Sequence, residues 1–149
     1  MVNSKKKRLA LLANAFWTTG SGISGGDQRL IQIFKRIGKN FEIDIYTSSD
    51  GKKLFSKELS FPNFVITDHE CRGNIFRSYL KRNKKTLHEI KKRDYDIIYS
   101  SSDFFPDVAP AFFYKKLRPQ TRWTQCIFHL YPKWWKRPGS KIVALVGYI

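Results

Sequence analysis

Leu9-Ala10-Leu11-Leu12-Ala13 contains no polar position. A half-buried strand would alternate, and a surface helix would leave polar gaps every three or four residues. The run does neither, so residues 8–14 read as a strand covered on both faces. Strands of that kind belong to parallel sheets packed between helices. The preceding Lys5-Lys6-Lys7-Arg8 gives this stretch the look of a secretory signal, but the apolar run stops at Asn14, which is short for the core of one. A basic start leading into a buried first strand accounts for the same residues.

The rest of the chain supplies the alternation such a sheet needs. A helix is expected over residues 27–39, where Leu30, Ile33, Phe34 and Ile37 share one face. Asp27 suits its first turn and Gly38 its end. "FEIDIYT" (41–47) reads as a strand, 48–53 as a loop and 63–67 as a short third strand. A long basic helix is expected over 74–93, with Phe76, Tyr79, Leu80, Asn83, Leu87 and Ile90 as its inward stripe. "DIIYSS" (96–101) and "RWTQCIFH" (122–129) read as strands. They flank an apolar helix over 103–117 that has Pro106 in its first turn and an irregularity at Pro110. The expected fold is α/β: a Rossmann-like open, mostly parallel sheet with helices on both faces. At 149 residues, 42% hydrophobic and 15% aromatic, the chain suits one domain with a real core and is not a disordered polymer. No stretch is long enough to span a bilayer.

The net charge is +16 and the isoelectric point near 10. That predicts attraction to nucleic acid, acidic lipid headgroups or phosphorylated substrates. Arg77, Lys81, Arg82, Lys84, Lys85, Lys91 and Lys92 crowd the 74–93 helix. They read as a solvated face or as a footing on an anionic membrane surface. For the membrane footing, Lys81, Arg82, Lys84 and Lys85 are the expected contacts, joined by Trp134 and Trp135 between Lys133 and Lys136. Cys71 and Cys126 match no zinc or redox spacing and read as two buried thiols in a reducing cytoplasm. No metal site and no cofactor are expected.

Between the first strand and first helix lies "GSGISGGDQR", which spells Gly20-x-Gly22-x-x-Gly25. A dinucleotide fold wants its first glycine directly after the strand, and here residues 15–19 intervene. It also wants an acid at the end of strand two, where Thr47, Ser48 and Ser49 stand and Asp50 comes late. A P-loop is excluded, because no Gly-Lys-Ser/Thr follows. Gly25-Gly26, at the helix start, is the better-placed pair for backbone approach to an anion.

"SGISGGDQRLIQIFKRIGKNFEIDIYTSSDG", "YDIIYSSSDFFPDVAPAFF" and "TRWTQCIFHLYP", taken in order, resemble the N-terminal domain of family 4 glycosyltransferases over residues 8–132. The resemblance implies the first half of a GT-B fold and the acceptor side of a nucleotide-sugar-dependent transferase. It implies that Gly25 and Gly26 approach the donor's diphosphate, that His129 is the catalytic histidine at the cleft, and that Ser101, Ser102 and Asp103 contact the acceptor. Without the resemblance, His129 is a strand-end histidine and Asp103 a helix cap. The family's nucleotide pocket belongs to a second domain, so the chain reads as one truncated domain, with 133–149 an interrupted terminal element. Activity would then require a donor-binding half, and the acceptor would be a lipid-linked or glycan sugar. The expected location is cytoplasmic, peripheral to the inner face of the membrane.

Two other classes stay open. "FHLYPKWWKRP" supplies the cations and rings of a single-stranded nucleic-acid binder, although a sheet buried on both faces leaves no stacking platform and makes nucleic acid the less favoured partner. A nicotinamide- or flavin-dependent enzyme is the third.

Overall fold

Residues 6–15, 24–69 and 74–127 are described by the structure, a computed structural model, with Ile75 seen only through its backbone. Five strands, β1 (Lys7–Ala13), β2 (Phe41–Ser48), β3 (Asn63–Asp68), β4 (Ile97–Ser100) and β5 (Arg122–Gln125), form one sheet in the order β3-β2-β1-β4-β5. Every pairing is parallel. The fold is therefore the Rossmann-like α/β open sheet expected, and it is wholly parallel. β1 lies at its centre, which is why its five apolar residues are all 3% exposed or less.

Four helices connect the strands: α1 (Gly25–Ile37), α2 (Ser49–Glu58), α3 (Ile75–Ile90) and α4 (Phe105–Leu117). α1 and α2 cover one face. Leu30, Ile31 and Phe34 of α1 and Phe55 of α2 pack there on Leu9, Leu11, Ile43 and Ile45. α3 and α4 cover the other, where Ile90, Ala111 and Tyr114 meet Ala10, Leu12, Tyr46 and Ile98. Neither face of the sheet is left open as a stacking platform.

α2 corrects the expected loop over 48–53. Ser48 caps the helix by accepting from the N–H of Gly51 (3.2 Å), and Asp50 complements its first turn. Ser, Asp and Gly in succession look like a loop, yet Gly51 is there for packing. A Cβ at that position would lie 2.0 Å from Thr47 Oγ1, so any larger residue would force Thr47 or the helix to shift. α1 keeps the expected faces at Leu30 and Phe34 but buries Ile31 and leaves Ile37 exposed. Its end at Gly38 leads into a short 3-10 turn over Gly38–Asn40, where Phe61 occupies the space a Cβ would need.

α3 is rotated from expectation. Phe76 and Leu80, placed by periodicity on the inward stripe, are 53% and 46% exposed, while Ser78, Arg82 and Thr86, from outside that stripe, are buried beside Asn83 and Ile90, which lie inward as expected. The cause lies beneath the helix, where the ends of β1 and β3 present polar groups that need partners. α4 continues past Pro110, which is buried. Pro110 has no N–H to give to the carbonyl of Pro106, one turn earlier. Asn14, just past β1, supplies the missing donor: its Nδ2 lies 3.2 Å from Pro106 O.

The amino-terminal part of the same face holds a second polar group. Asp44, 3% exposed, accepts from Arg93 Nη1 (2.7 Å), Tyr95 OH (2.6 Å) and Asn63 Nδ2 (3.3 Å). Because Tyr95 spends its hydrogen on Asp44, Tyr46 OH donates to Tyr95 oxygen across 2.8 Å. Burial pushes the Tyr46 hydroxyl up to about 12, and Tyr95 further still.

Candidate functional site: the carboxyl edge between β1 and β4

In this strand order the chain builds outward from β1 through β2 to β3, then crosses back to place β4 on the other side of β1. The topological switch point therefore falls between β1 and β4, and the crevice that parallel open sheets use for ligands is expected at their carboxyl ends. The residues at the strand ends are small and polar: Asn14, Thr47, Ser48, Thr67, Ser101 and Ser102.

Asp107, in the first turn of α4, ties the two exits together. It is completely buried. Oδ1 accepts from the backbone N–H groups of Asn14 (2.6 Å) and Ala15 (3.2 Å). Oδ2 accepts from the hydroxyls of Ser101 (3.0 Å) and Ser102 (2.6 Å). Ser100 Oγ donates to the Asp107 carbonyl (2.9 Å) and accepts from Trp123 Nε1 (3.0 Å). Burial pushes the Asp107 carboxyl up to about 6, against the downward pull of its donors.

Asn14 is the second organiser. Besides Pro106, its Nδ2 reaches Thr86 Oγ1 (3.0 Å), and its Oδ1 accepts from Thr67 Oγ1 (2.7 Å). Its carbonyl accepts from Arg82 Nη1 (2.6 Å). Arg82 Nε also reaches Asp68 Oδ2 (3.3 Å), whose other oxygen meets Lys81 Nζ (3.1 Å). Tyr79 OH donates to the Ala15 carbonyl (3.2 Å).

These contacts revise the expected roles. Arg82 is fully buried and neutralises buried Asp68, so it is not a membrane-facing cation. Lys81, Lys84 and Lys85 are exposed as expected, although Lys81 pairs with Asp68 and Lys85 with Glu89 (2.9 Å). Ser101 and Ser102 do lie at the crevice, but their hydroxyl hydrogens are committed to Asp107. What they offer a ligand is lone pairs and backbone groups. Asp103 is half-buried in the bend ahead of α4, whose N-cap is Phe104.

Gly25 and Gly26 open α1 as expected. The helix start is closed by a capping box: Ser24 Oγ accepts from the N–H of Asp27 (3.2 Å), and Asp27 Oδ2 accepts from the N–H of Ser24 (3.2 Å). A carboxylate thus already answers the positive end of the helix, which leaves less field for a phosphate than the glycines alone suggest. A Cβ at Gly25 would meet nothing within 4 Å. Gly20, Gly22, Cys71, His129, Trp134, Trp135 and the 133–149 segment lie outside the described residues. Cys126 is a half-buried free thiol at the end of β5. Among the described residues no group of His, Cys, Asp and Glu gathers as a metal site would require.

Sequence reasoning missed Asp107 and the reach of Asn14. The available signals were an acid in the first turn after a serine-rich strand end and an Asn closing an apolar strand.

Fold and crevice together define a Rossmann-like α/β domain with its candidate ligand site at the β1/β4 switch point. No family model, no curated protein and no solved structure matches the chain.

Proposed function

We propose that the domain is the acceptor-side half of a glycosyltransferase, binding a sugar in the β1/β4 crevice and moving it from a nucleotide-sugar donor to a lipid-linked or glycan acceptor. The observation that carries this reading is the chemistry of the crevice. Hydrogen-bonding groups at the ends of β1, β3 and β4 are tied together by Asp107 and Asn14, with Ala15, Ser101 and Asp103 half-buried at the edge and the Arg82 guanidinium buried against Asp68 beneath. Sugars are read by such groups, and aromatic rings complement their apolar faces. Phe104 offers a ring that is 47% exposed at the end of the β4 exit.

In this reading His129, beyond β5 in sequence, is the catalytic histidine, and the start of α1 at Gly25-Gly26 faces the donor's diphosphate. Charge that develops on the leaving diphosphate is met by preorganised N–H groups and cations. The nucleotide pocket lies on a separate donor-binding domain. The fold by itself assigns no chemistry, so the reading stands on the crevice.

NMR titration of the protein with UDP- and GDP-sugars and with oligosaccharide acceptors tests it. Amide shifts concentrated at residues 14–15 and 100–104 are expected, and mixing with a donor-binding domain should yield transfer that His129→Ala cuts. Saccharides that leave those amides unmoved, while a single-stranded oligonucleotide or NADH moves them, would replace this reading with one of its competitors.

A further inference from the structure

We propose that the outward faces of α3 and α4 dock the protein on an anionic lipid bilayer, with the Phe112–Phe113 pair entering the headgroup layer. The large hydrophobic residues left exposed among the described residues are unevenly placed. Phe76 and Leu80 lie on α3, Phe112, Phe113 and Leu117 on α4, Phe104 stands at the N-cap of α4, and Ile127 follows β5. The α1/α2 layer exposes Ile37 alone. Phe112 and Phe113 meet edge to face with their centroids 5.5 Å apart, and each is more than 40% exposed. A soluble surface rarely gathers so much apolar area without a partner.

Charge names the kind of partner. Lys116 Nζ lies over the Phe112 ring at 4.7 Å, and Arg77, Lys84 and Lys91 are exposed along α3. Lysines beside exposed rings can leave their ammonium groups among lipid phosphates while stem and ring go deeper. A second copy of the chain would set +16 against +16. No described helix is long and apolar enough to cross a membrane, so contact is lateral. The α1/α2 layer also carries exposed cations, among them Arg29, Lys35 and Lys52. Charge therefore draws the protein to the surface, and the apolar residues select the face. The proposal shares only Phe104 with the sugar-transfer reading, and the residues that test it, Phe112, Phe113 and Leu117, have no part in that reading.

Sedimentation with vesicles of phosphatidylglycerol and phosphatidylcholine in equal parts tests it on the full chain. The wild type is expected to pellet with these vesicles and to stay in solution with pure phosphatidylcholine. Phe112→Ser/Phe113→Ser should weaken partitioning about tenfold with an unchanged circular dichroism spectrum, and Ile37→Ser should leave it unchanged. If the double variant misfolds, Leu117→Ser serves as the milder probe. Equal pelleting of wild type and double variant, or an equal loss from Ile37→Ser, would overturn the face assignment. Self-association abolished by the double variant without any vesicle binding would give the face to a second copy. Saturable capture by soluble polyglutamate that needs both phenylalanines, with no binding to vesicles, would give it to an acidic protein.

Discussion

The two helical layers part company at α1 and α3, although each also covers an apolar cluster on its face of the sheet. Under α1 and α2 the buried side chains are Leu30, Ile31, Phe34 and Phe55, and the outer face is charged. Under α3 the buried side chains include Ser78, Arg82, Asn83 and Thr86, and the outer face shows Phe76 and Leu80. Both layers close the same sheet. The difference lies in what the sheet offers them. On the first face β1 and β2 present Leu9, Leu11, Ala13, Ile43 and Ile45, and Thr47, the polar side chain beside them, spends its hydroxyl hydrogen on the Ala13 carbonyl. On the second, the ends of β1 and β3 present carbonyls and the Asp68 carboxylate, which a helix can approach only with donors. A layer that spends its buried positions on hydrogen bonds has its apolar residues left for the outside.

If that contrast holds, the costliest change in the polar layer is Arg82→Met. Removing the guanidinium leaves Asp68 buried with less compensation and orphans the Asn14 carbonyl, so a loss of about 3–5 kcal/mol is expected in urea denaturation. Phe34→Ala in the apolar layer should cost a similar amount for the different reason of an empty cavity. A loss under about 1 kcal/mol for Arg82→Met would mean the polar layer does not hold the fold.

Acid should separate the layers next. Asp107 titrates near 6 in the folded chain against 3.8 unfolded, so folding favours its protonated form. Its contribution is fully present below about 3.8 and is lost as pH rises through 6, worth about 3 kcal/mol across the window. Glu89, held near 2 by Lys85 and Lys92, acts in the opposite sense and only below its ordinary value of 4.5. Melting curves between pH 4 and 7 should show the Asp107 slope, and Asp107→Asn should flatten it. Parallel profiles for the two proteins would contradict the assignment.

Smaller effects belong to the glycines of the apolar layer. Gly51→Ala places a methyl against Thr47 Oγ1 and should cost about 1–3 kcal/mol. Gly25→Ala meets open space and should stabilise by about 0.4–1 kcal/mol through the unfolded chain. Lost ligand binding in a more stable Gly25→Ala protein would mark a glycine kept for approach to a ligand. Unchanged binding would mark one that is merely tolerated.

The pattern of legibility follows the same division. The apolar run of β1 and the alternation that follows it disclose the parallel sheet, because burial on two faces leaves a local trace. α2 is hidden by Ser48, Asp50 and Gly51, which serve equally as loop residues and as a capped, tightly packed helix start. The face of α3 is hidden because periodicity counts apolar residues, and its inward face is polar. The floor of the crevice is hidden for another reason. Asn14 and Asp107 acquire meaning only from each other, and they stand 93 residues apart.

That separation has a kinetic consequence. The partners of Asn14 lie 53, 68, 72, 92 and 93 residues along the chain. Closing loops of this length costs chain entropy before any contact offsets it. Strands and their adjoining helices can form while Asn14 still lacks all five. Asn14→Ala removes the three side-chain contacts, to Thr67, Thr86 and Pro106, and is therefore expected to speed unfolding and leave the refolding rate nearly unchanged, as for contacts absent from the transition state. The crevice floor closes late as the chain folds and opens early as it comes apart.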